Sequence, residues 1–88
     1  MKKITLNVYS DPGHGWAKVS IDTLKKLGIA KKISTYSYMR GDQAYLEEDC
    51  DLYVLINALK ANNIQYSFRE FNTNQRSRIR SYDYYRVT

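Results

Sequence analysis

Two segments, one near each end of the chain, alternate strictly between apolar and polar residues. The apolar positions are Ile4, Leu6 and Val8 within residues 2–9, and Ile64, Tyr66 and Phe68 within residues 64–69. A period of two is typical of a strand that turns one face to a hydrophobic core and the other to solvent. The sequence therefore predicts a half-buried strand near each end of the chain.

Two helices are predicted between these strands. Ser20 is a suitable N-terminal cap for the first, and Gly28 ends it because glycine readily adopts a positive φ. The second helix is predicted to begin at the cap Asp49 and to end at Asn62-Asn63, since Asn tolerates the left-handed conformation. Its apolar face, with helical spacing, consists of Leu52, Leu55, Ile56 and Leu59.

A hairpin is predicted between the two helices. Strand character from Ile33 to Met39 is followed by the tight turn Arg40-Gly41-Asp42 and a returning arm from Ala44 to Glu47. The order β-α-β-β-α-β predicts a ferredoxin-like α+β sandwich, an antiparallel sheet with two helices on one face. A simpler α+β fold, with a short first strand and a separate hairpin around Trp16 and Val19, fits nearly as well.

The size of the chain predicts one domain, residues 1–88, because a chain this short cannot bury two cores. Nine tyrosines leave a modest aliphatic core, which a homodimer or a bound partner would supplement. A single cysteine, Cys50, excludes an internal disulfide, and no signal segment opens the chain, so we expect a cytoplasmic protein. No apolar stretch is long enough to span a bilayer, so no membrane association is expected.

Charge is distributed in blocks along the chain. The formal net charge is +5, but residues 40–51 contain five acidic residues and one Arg. The acidic surface expected from this block is formed by Glu47, Glu48, Asp49 and Asp51. These carboxylates either dock a basic partner or stabilise the start of the second helix through its dipole. The chain is thus predicted to have faces of opposite charge.

Residues 72–88 form a basic C-terminal segment rich in Tyr and Arg. In an extended conformation Arg76, Arg78 and Arg80 would share one face, an arrangement that suits a phosphate backbone or an acidic groove. Tyr82, Tyr84 and Tyr85 could stack on bases. A solvated edge strand or frayed tail is an equally good interpretation.

The loop Asp11-Pro12-Gly13-His14-Gly15-Trp16 is the most distinctive local sequence. It is either a shaped turn in which Trp16 covers the core, or an exposed loop that presents Trp16 and His14 to a partner. His14 lies near Asp11 and Ser10, but no nucleophile signature accompanies them, so we expect no enzyme activity. One His and one Cys far apart in sequence predict no metal site, and no cofactor is expected.

Three stretches together carry a resemblance that covers most of the chain. They are residues 10–16, residues 36–41 leading into residues 44–51, and residues 77–82. The combination resembles small orphan proteins encoded by bacteriophages and prophages, a group with no established activity. The resemblance implies a role during infection, and inhibitors of host defence, including anti-CRISPR proteins, are prominent among small phage proteins.

Three functional hypotheses follow. The first is a non-enzymatic phage accessory protein that binds and inhibits a bacterial host protein or nucleoprotein complex in the host cytoplasm. The second is a small basic protein that binds DNA or RNA directly. The third is a small hydrolase or nuclease that uses His14.

Overall fold

The computed structural model describes residues 3–87 as a mixed sheet of six strands with two α-helices. The strands are β1 (Lys3–Ser10), β2 (Gly15–Ser20), β3 (Tyr38–Arg40), β4 (Gln43–Glu47), β5 (Gln65–Asn72) and β6 (Asp83–Tyr84), and the helices are α1 (Ile21–Lys26) and α2 (Leu52–Ala61). Lys2, which was predicted to begin the first strand, lies outside the described residues, as do Met1 and Thr88. Within residues 3–87 no helix is long and apolar enough to cross a membrane.

The strand order in the sheet is β5-β1-β2-β4-β3-β6. Strands β1 and β5 pair in parallel, and every other pair of neighbours is antiparallel. The predicted α+β class is therefore confirmed, whereas the ferredoxin-like topology with a purely antiparallel sheet is wrong. The cause is β2, which pairs with both β1 and β4 where that topology has no strand. The alternative with a hairpin around Trp16 and Val19 comes closer, although β1 is long.

The two helices keep the boundaries that local signals predict at three of their four ends. The Ser20 hydroxyl accepts a hydrogen bond from the Thr23 amide at 3.0 Å and caps α1, and Gly28 follows that helix with φ +75°. Asn63, with φ 56°, stands after α2. The start of α2 differs, because the helix begins after Asp51 and not after Asp49.

Asp51 explains why the strand predicted from Ile33 to Met39 is mostly absent. Its buried carboxylate accepts hydrogen bonds from the amide and hydroxyl of Ser34 and from the hydroxyl of Ser37. These bonds hold residues 34–37 in a turn, so the strand is confined to Tyr38–Arg40. The predicted tight turn Arg40-Gly41-Asp42 is confirmed, with Gly41 and Asp42 connecting β3 to β4. Gly41 has φ +60°, as a type II′ hairpin turn requires at its first position.

The main core lies between the helices and one face of the sheet. Leu24 of α1 and both Leu55 and Leu59 of α2 pack with Leu6 and Leu46, so both helices cover the same face, as predicted. Burial of each such leucine contributes roughly 1.5–3 kcal/mol. The full buried cluster is Leu6, Val19, Leu24, Ile29, Ala30, Ile33, Ala44, Leu46, Leu55, Leu59, Ile64 and Tyr85.

Candidate functional site

The face of the sheet opposite the helices is rich in aromatic side chains. We call it the tyrosine face, and define it by the residues that strand alternation places there: Tyr9, Trp16, Tyr38, Tyr45 and Phe71. Tyr9 and Phe71 are paired on β1 and β5 and stack at 5.2 Å between ring centroids. Trp16 meets Tyr38 edge-on at 6.1 Å. The face of the sheet that the alternating pattern predicts to be polar is therefore only partly exposed to solvent.

The C-terminal segment crosses part of this face. Its 3₁₀ turn, Arg78–Ser81, buries Ile79 in a second small core against Trp16 and Tyr45. Tyr82 then packs on Tyr45 with ring centroids 5.1 Å apart. The segment is therefore ordered on the protein surface and is not a frayed tail.

Asp11 anchors the segment to the β1–β2 turn. Its carboxylate accepts two hydrogen bonds from the Arg80 guanidinium, at 2.6 and 2.9 Å, and one from the Ser77 amide at 3.0 Å. It also accepts hydrogen bonds from the backbone amides of Gly13 and His14, as expected for a shaped turn. The hydrogen bonds from Arg80 are the main reason that the pKa of Asp11 lies far below its usual range.

Arg80 is consequently not free to bind a partner in the way the sequence predicted. Besides its bond to Asp11, its guanidinium lies 5.2 Å from the centroid of the Trp16 ring. The 3₁₀ turn also removes the predicted row of three arginines, since a strand is needed to align them. Arg76 and Arg78 remain exposed.

Two aromatic residues that were predicted to contact a partner are buried. Trp16 is 2% exposed, so the interpretation of its loop as a shaped turn covering a core holds, and exposed presentation of Trp16 is wrong. Tyr85 is 1% exposed, and its hydroxyl donates to the Ala30 carbonyl at 2.6 Å. Burial, followed by the charge of Asp51, raises the pKa of Tyr85. By contrast, Tyr84 is 67% exposed and stacks on Tyr38.

A groove of about 580 Å³ runs between the C-terminal segment and the sheet. Four aromatic side chains line it, and Arg76 and Arg78 contribute its guanidinium groups. Burial raises the pKa of Tyr45, so deprotonation of this ring is harder than for an exposed tyrosine. The aromatic residues of the groove are Tyr9, Tyr45, Phe71 and Tyr82.

Positive charge extends from the groove along the rest of the tyrosine face. Strand alternation places four basic residues on this face, and Arg40 lies 5.3 Å from the centroid of the Tyr82 ring. The one carboxylate that alternation places there within residues 3–87 is Glu47, which is buried. The basic residues are Lys3, Lys18, Arg40 and Arg69. The face therefore suits an anionic ligand with flat, stackable groups.

The predicted acidic surface does not form as one patch. Glu47 and Asp51 are buried, and only Glu48 and Asp49 are exposed. Asp51 has the structural role described above, and an oxygen of Glu48 lies over Gly15, where a Cβ atom would come within 2.6 Å of it. A charged block in sequence is therefore divided between the interior and the surface.

The hydrolase or nuclease hypothesis uses His14, which lies near Asp11 and Ser10 in sequence, and in the structure these three side chains have separate partners. The Ser10 hydroxyl donates to the side-chain oxygen of Asn72. The Asp11 carboxylate contacts the backbone amide of His14, not its imidazole, which lies 3.4 Å from Glu47. Because a nucleophile must contact its base, this set lacks the required geometry.

The Cys50 thiol lies near Glu47. A side-chain hydrogen bond to this carboxylate, followed by burial, raises the pKa of Cys50, so the thiolate is disfavoured.

Of the four aromatic residues of the groove, three were not predicted from the sequence: Tyr9, Tyr45 and Phe71. A signal for two of them was present, because Tyr9 continues the polar side of β1 and Phe71 the polar side of β5. An aromatic residue at a position that alternation assigns to solvent indicates a covered or ligand-binding patch. Which strands would meet was not visible in the sequence.

Comparisons of the chain with protein-family models, with curated proteins and with solved structures find no match. The resemblance to phage-encoded orphan proteins stays a prediction.

Proposed function

We propose that the chain is a non-enzymatic protein that binds single-stranded nucleic acid on its tyrosine face. The observation that carries this proposal is the groove, in which four aromatic rings lie beside two exposed arginines. Its volume, about 580 Å³, falls within the range of ordinary ligand sites.

Stacking provides the first part of the expected affinity. Phe71 is 43% exposed and Tyr9 is partly exposed, so the stacked pair presents aromatic surface to a ligand. A base stacked on such a side chain contributes roughly 1–3 kcal/mol, with little dependence on sequence. Open sheets with aromatic side chains are an established way to bind unpaired bases. Duplexes should bind more weakly because their bases are already stacked.

Charge provides the second part. Arg76 and Arg78 stand at the groove, and Lys18 and Arg69 continue along the same face of the sheet. Basic side chains along a strand neutralise phosphates and release counterions, which makes binding dependent on salt. Burial of Glu47 leaves this face without an exposed carboxylate among its described strand positions, so little opposes an anionic backbone.

The fold changes which class of partner is better supported, a protein or a nucleic acid. Faces of opposite charge suit a protein or nucleoprotein surface better than a bare phosphate backbone. Since Glu47 and Asp51 are buried, the acidic face loses two of its four members. Direct nucleic-acid binding is therefore the better-supported function.

Two phenylalanines of β5 provide a matched test. Phe71 lies on the tyrosine face, whereas Phe68 alternates to the helix side of the sheet, and they are similarly exposed, 43% and 46%. In fluorescence anisotropy with labelled oligothymidylate, Phe71→Ala should weaken binding by about 1–3 kcal/mol, and Phe68→Ala should have little effect. Absence of binding by the unmodified protein, or equal losses in both variants, would contradict the proposal.

Inhibition of a bacterial host complex, which the phage resemblance implies, is the second candidate function. The observation in its favour is a set of tyrosines outside the groove, Tyr36, Tyr53 and Tyr84, that are each more than half exposed. Tyrosine is common among residues that dominate protein interfaces. Recovery of one specific protein from bacterial lysate, with and without nuclease treatment, would support this candidate, and loss of the captured protein after nuclease would support nucleic-acid binding.

A further inference from the structure

Three side chains that are separate in sequence come together beside the β1–β2 turn. They are His14 from the turn, Glu47 at the end of β4, and Asp49 in the connection to α2. Each can offer one ligand atom, and these atoms all lie within 4.8 Å of one another. The His14 Nδ1 atom is 3.4 Å from the Glu47 Oε1 atom. The cluster therefore forms through the pairing of β2 with β4, which brings the turn next to Glu47.

An independent observation at this cluster concerns the hydrogen bonding of Glu47. The residue is 7% exposed, and its Oε2 atom accepts a hydrogen bond from the Asp49 amide at 3.1 Å. Its Oε1 atom, which faces His14, is buried and accepts no hydrogen bond with ordinary distance and angle. A buried carboxylate oxygen without a partner is costly and calls for an explanation such as an ion. Cys50 does not remove this cost, because a thiol is a weak donor.

The ligand chemistry suits a divalent transition metal. One imidazole nitrogen and two carboxylate oxygens are ligands that Zn²⁺ accepts, with bonds of about 2.0–2.2 Å. Tetrahedral geometry at those lengths places ligand atoms roughly 3.3 Å apart, close to the spacing already present between His14 and Glu47. Asp49 is exposed, so its side chain can rotate to close the remaining gap.

We propose that His14, Glu47 and Asp49 form a binding site for a divalent transition metal ion of the Zn²⁺ class. The ion satisfies the unpartnered oxygen of Glu47 and joins the β1–β2 turn to the connection before α2. Three protein ligands leave a fourth position for water. This site shares no residue with the groove, and it does not depend on the proposed function.

The test is isothermal titration calorimetry, in which Zn²⁺ is titrated into the full chain without an affinity tag. One ion should bind per chain. His14→Ala and Asp49→Asn should each weaken binding by at least about 10-fold, as loss of a ligand is no milder than loss of a supporting contact. Both residues are exposed, so these variants should fold.

A neighbouring residue provides a matched control. Glu48→Gln removes an exposed carboxylate next to the cluster and should leave the affinity unchanged. No saturable binding, binding that survives His14→Ala, or an equal loss of affinity in Glu48→Gln would each overturn the proposal. An ion pair between protonated His14 and Glu47 would then explain the contact.

The single tryptophan gives a second readout. The rings of His14 and Trp16 are 6.2 Å apart between centroids, close enough for a paramagnetic ion on His14 to quench Trp16 fluorescence. Titration with Co²⁺ should quench the emission to saturation at one ion per chain, and His14→Ala should abolish that saturable quenching. Quenching of equal size in the variant would contradict binding at this site.

Discussion

Tyr84 and Tyr85 are adjacent in sequence but differ in burial, and removal of the hydroxyl oxygen from each tests what that difference contributes to stability. Tyr85 is buried, and its hydroxyl donates to the Ala30 carbonyl at 2.6 Å, whereas Tyr84 is 67% exposed. Tyr85→Phe removes the hydroxyl, keeps the ring and leaves the Ala30 oxygen without this donor. Tyr84→Phe removes the same atom from an exposed ring. The pair therefore isolates the contribution of the buried hydrogen bond.

The expected cost of Tyr85→Phe follows from that geometry. A net hydrogen bond contributes about 0.5–1.5 kcal/mol, and a buried acceptor left unpaired costs about 1–3 kcal/mol. We expect the free energy of unfolding to fall by about 1–3 kcal/mol. With an m-value of about 1–2 kcal/mol/M in urea, the midpoint should fall by roughly 1 M, with no change in m. Tyr84→Phe should change the free energy of unfolding by less than about 0.5 kcal/mol.

The same pair should differ at alkaline pH. The pKa of Tyr85 is raised in the folded state, mainly by burial, so the folded protein holds this proton more tightly than the unfolded chain. The resulting stability is fully present below the unfolded pKa of about 10 and is lost as the pH rises through the folded pKa. Tyr85→Phe should reduce this alkaline loss without removing it, since the pKa of Tyr45 is also raised. Identical urea midpoints and alkaline profiles for the two variants would refute the structural role of Tyr85.

Three further perturbations test other parts of the fold. Asp51→Ala removes the acceptor of three hydrogen bonds from Ser34 and Ser37 and should lower the free energy of unfolding by at least about 2 kcal/mol in urea denaturation; a smaller change would mean that these bonds add little. Asp11→Asn should speed amide exchange in the C-terminal segment, and unchanged exchange would contradict the anchoring role. The same substitution should lessen the loss of stability that the unmodified protein shows below about pH 4. The reason is that the lowered pKa of Asp11 gives its full stabilisation only at pH values above the pKa of this group in the unfolded chain. Gly41→Ala places a Cβ atom at φ +60° in open space and should cost about 1–2 kcal/mol by thermal denaturation, all of it from the backbone; no loss would contradict the assigned turn.

Features that depend on neighbouring residues could be predicted from the sequence. Ser20 and Gly28 delimit α1 through a side-chain bond and a positive φ within a few residues. Asn63 and Gly41 act in the same local way after α2 and between β3 and β4. Each of these signals has a physical cause that distant residues do not alter.

The topology depended on contacts that no local signal carries. Residues 15–20 lack a clean alternation, because the adjacent residues Trp16 and Ala17 are both apolar and both buried. Strand β2 is stabilised by β1 and β4 on either side. The strand predicted to begin at Ile33 is displaced because Ser34 and Ser37 bind a carboxylate from a later segment, Asp51. Long-range hydrogen bonding here overrides the β propensity of the segment.

The candidate site was predictable in part. The C-terminal segment does contribute Arg76, Arg78 and Tyr82 to the groove, as its composition suggested. The segment is not extended, however, and Arg80 is bound to Asp11. Tyr84 is exposed and Tyr85 is buried, a difference that composition alone does not predict. These differences arise from the way the segment packs on the sheet.

The most direct test of nucleic-acid binding at the groove is the dependence of affinity on salt. The affinity of the protein for oligothymidylate should fall with increasing salt, with a slope of about −0.7 per phosphate contacted. The double substitution Arg76→Gln/Arg78→Gln should reduce that slope by about 1.4 if each arginine contacts one phosphate. Lys31→Gln/Lys32→Gln removes the same amount of positive charge at two residues that do not line the groove and that follow the core residue Ala30. This variant should leave the slope unchanged. Equal slopes in the two double variants would contradict binding at the groove.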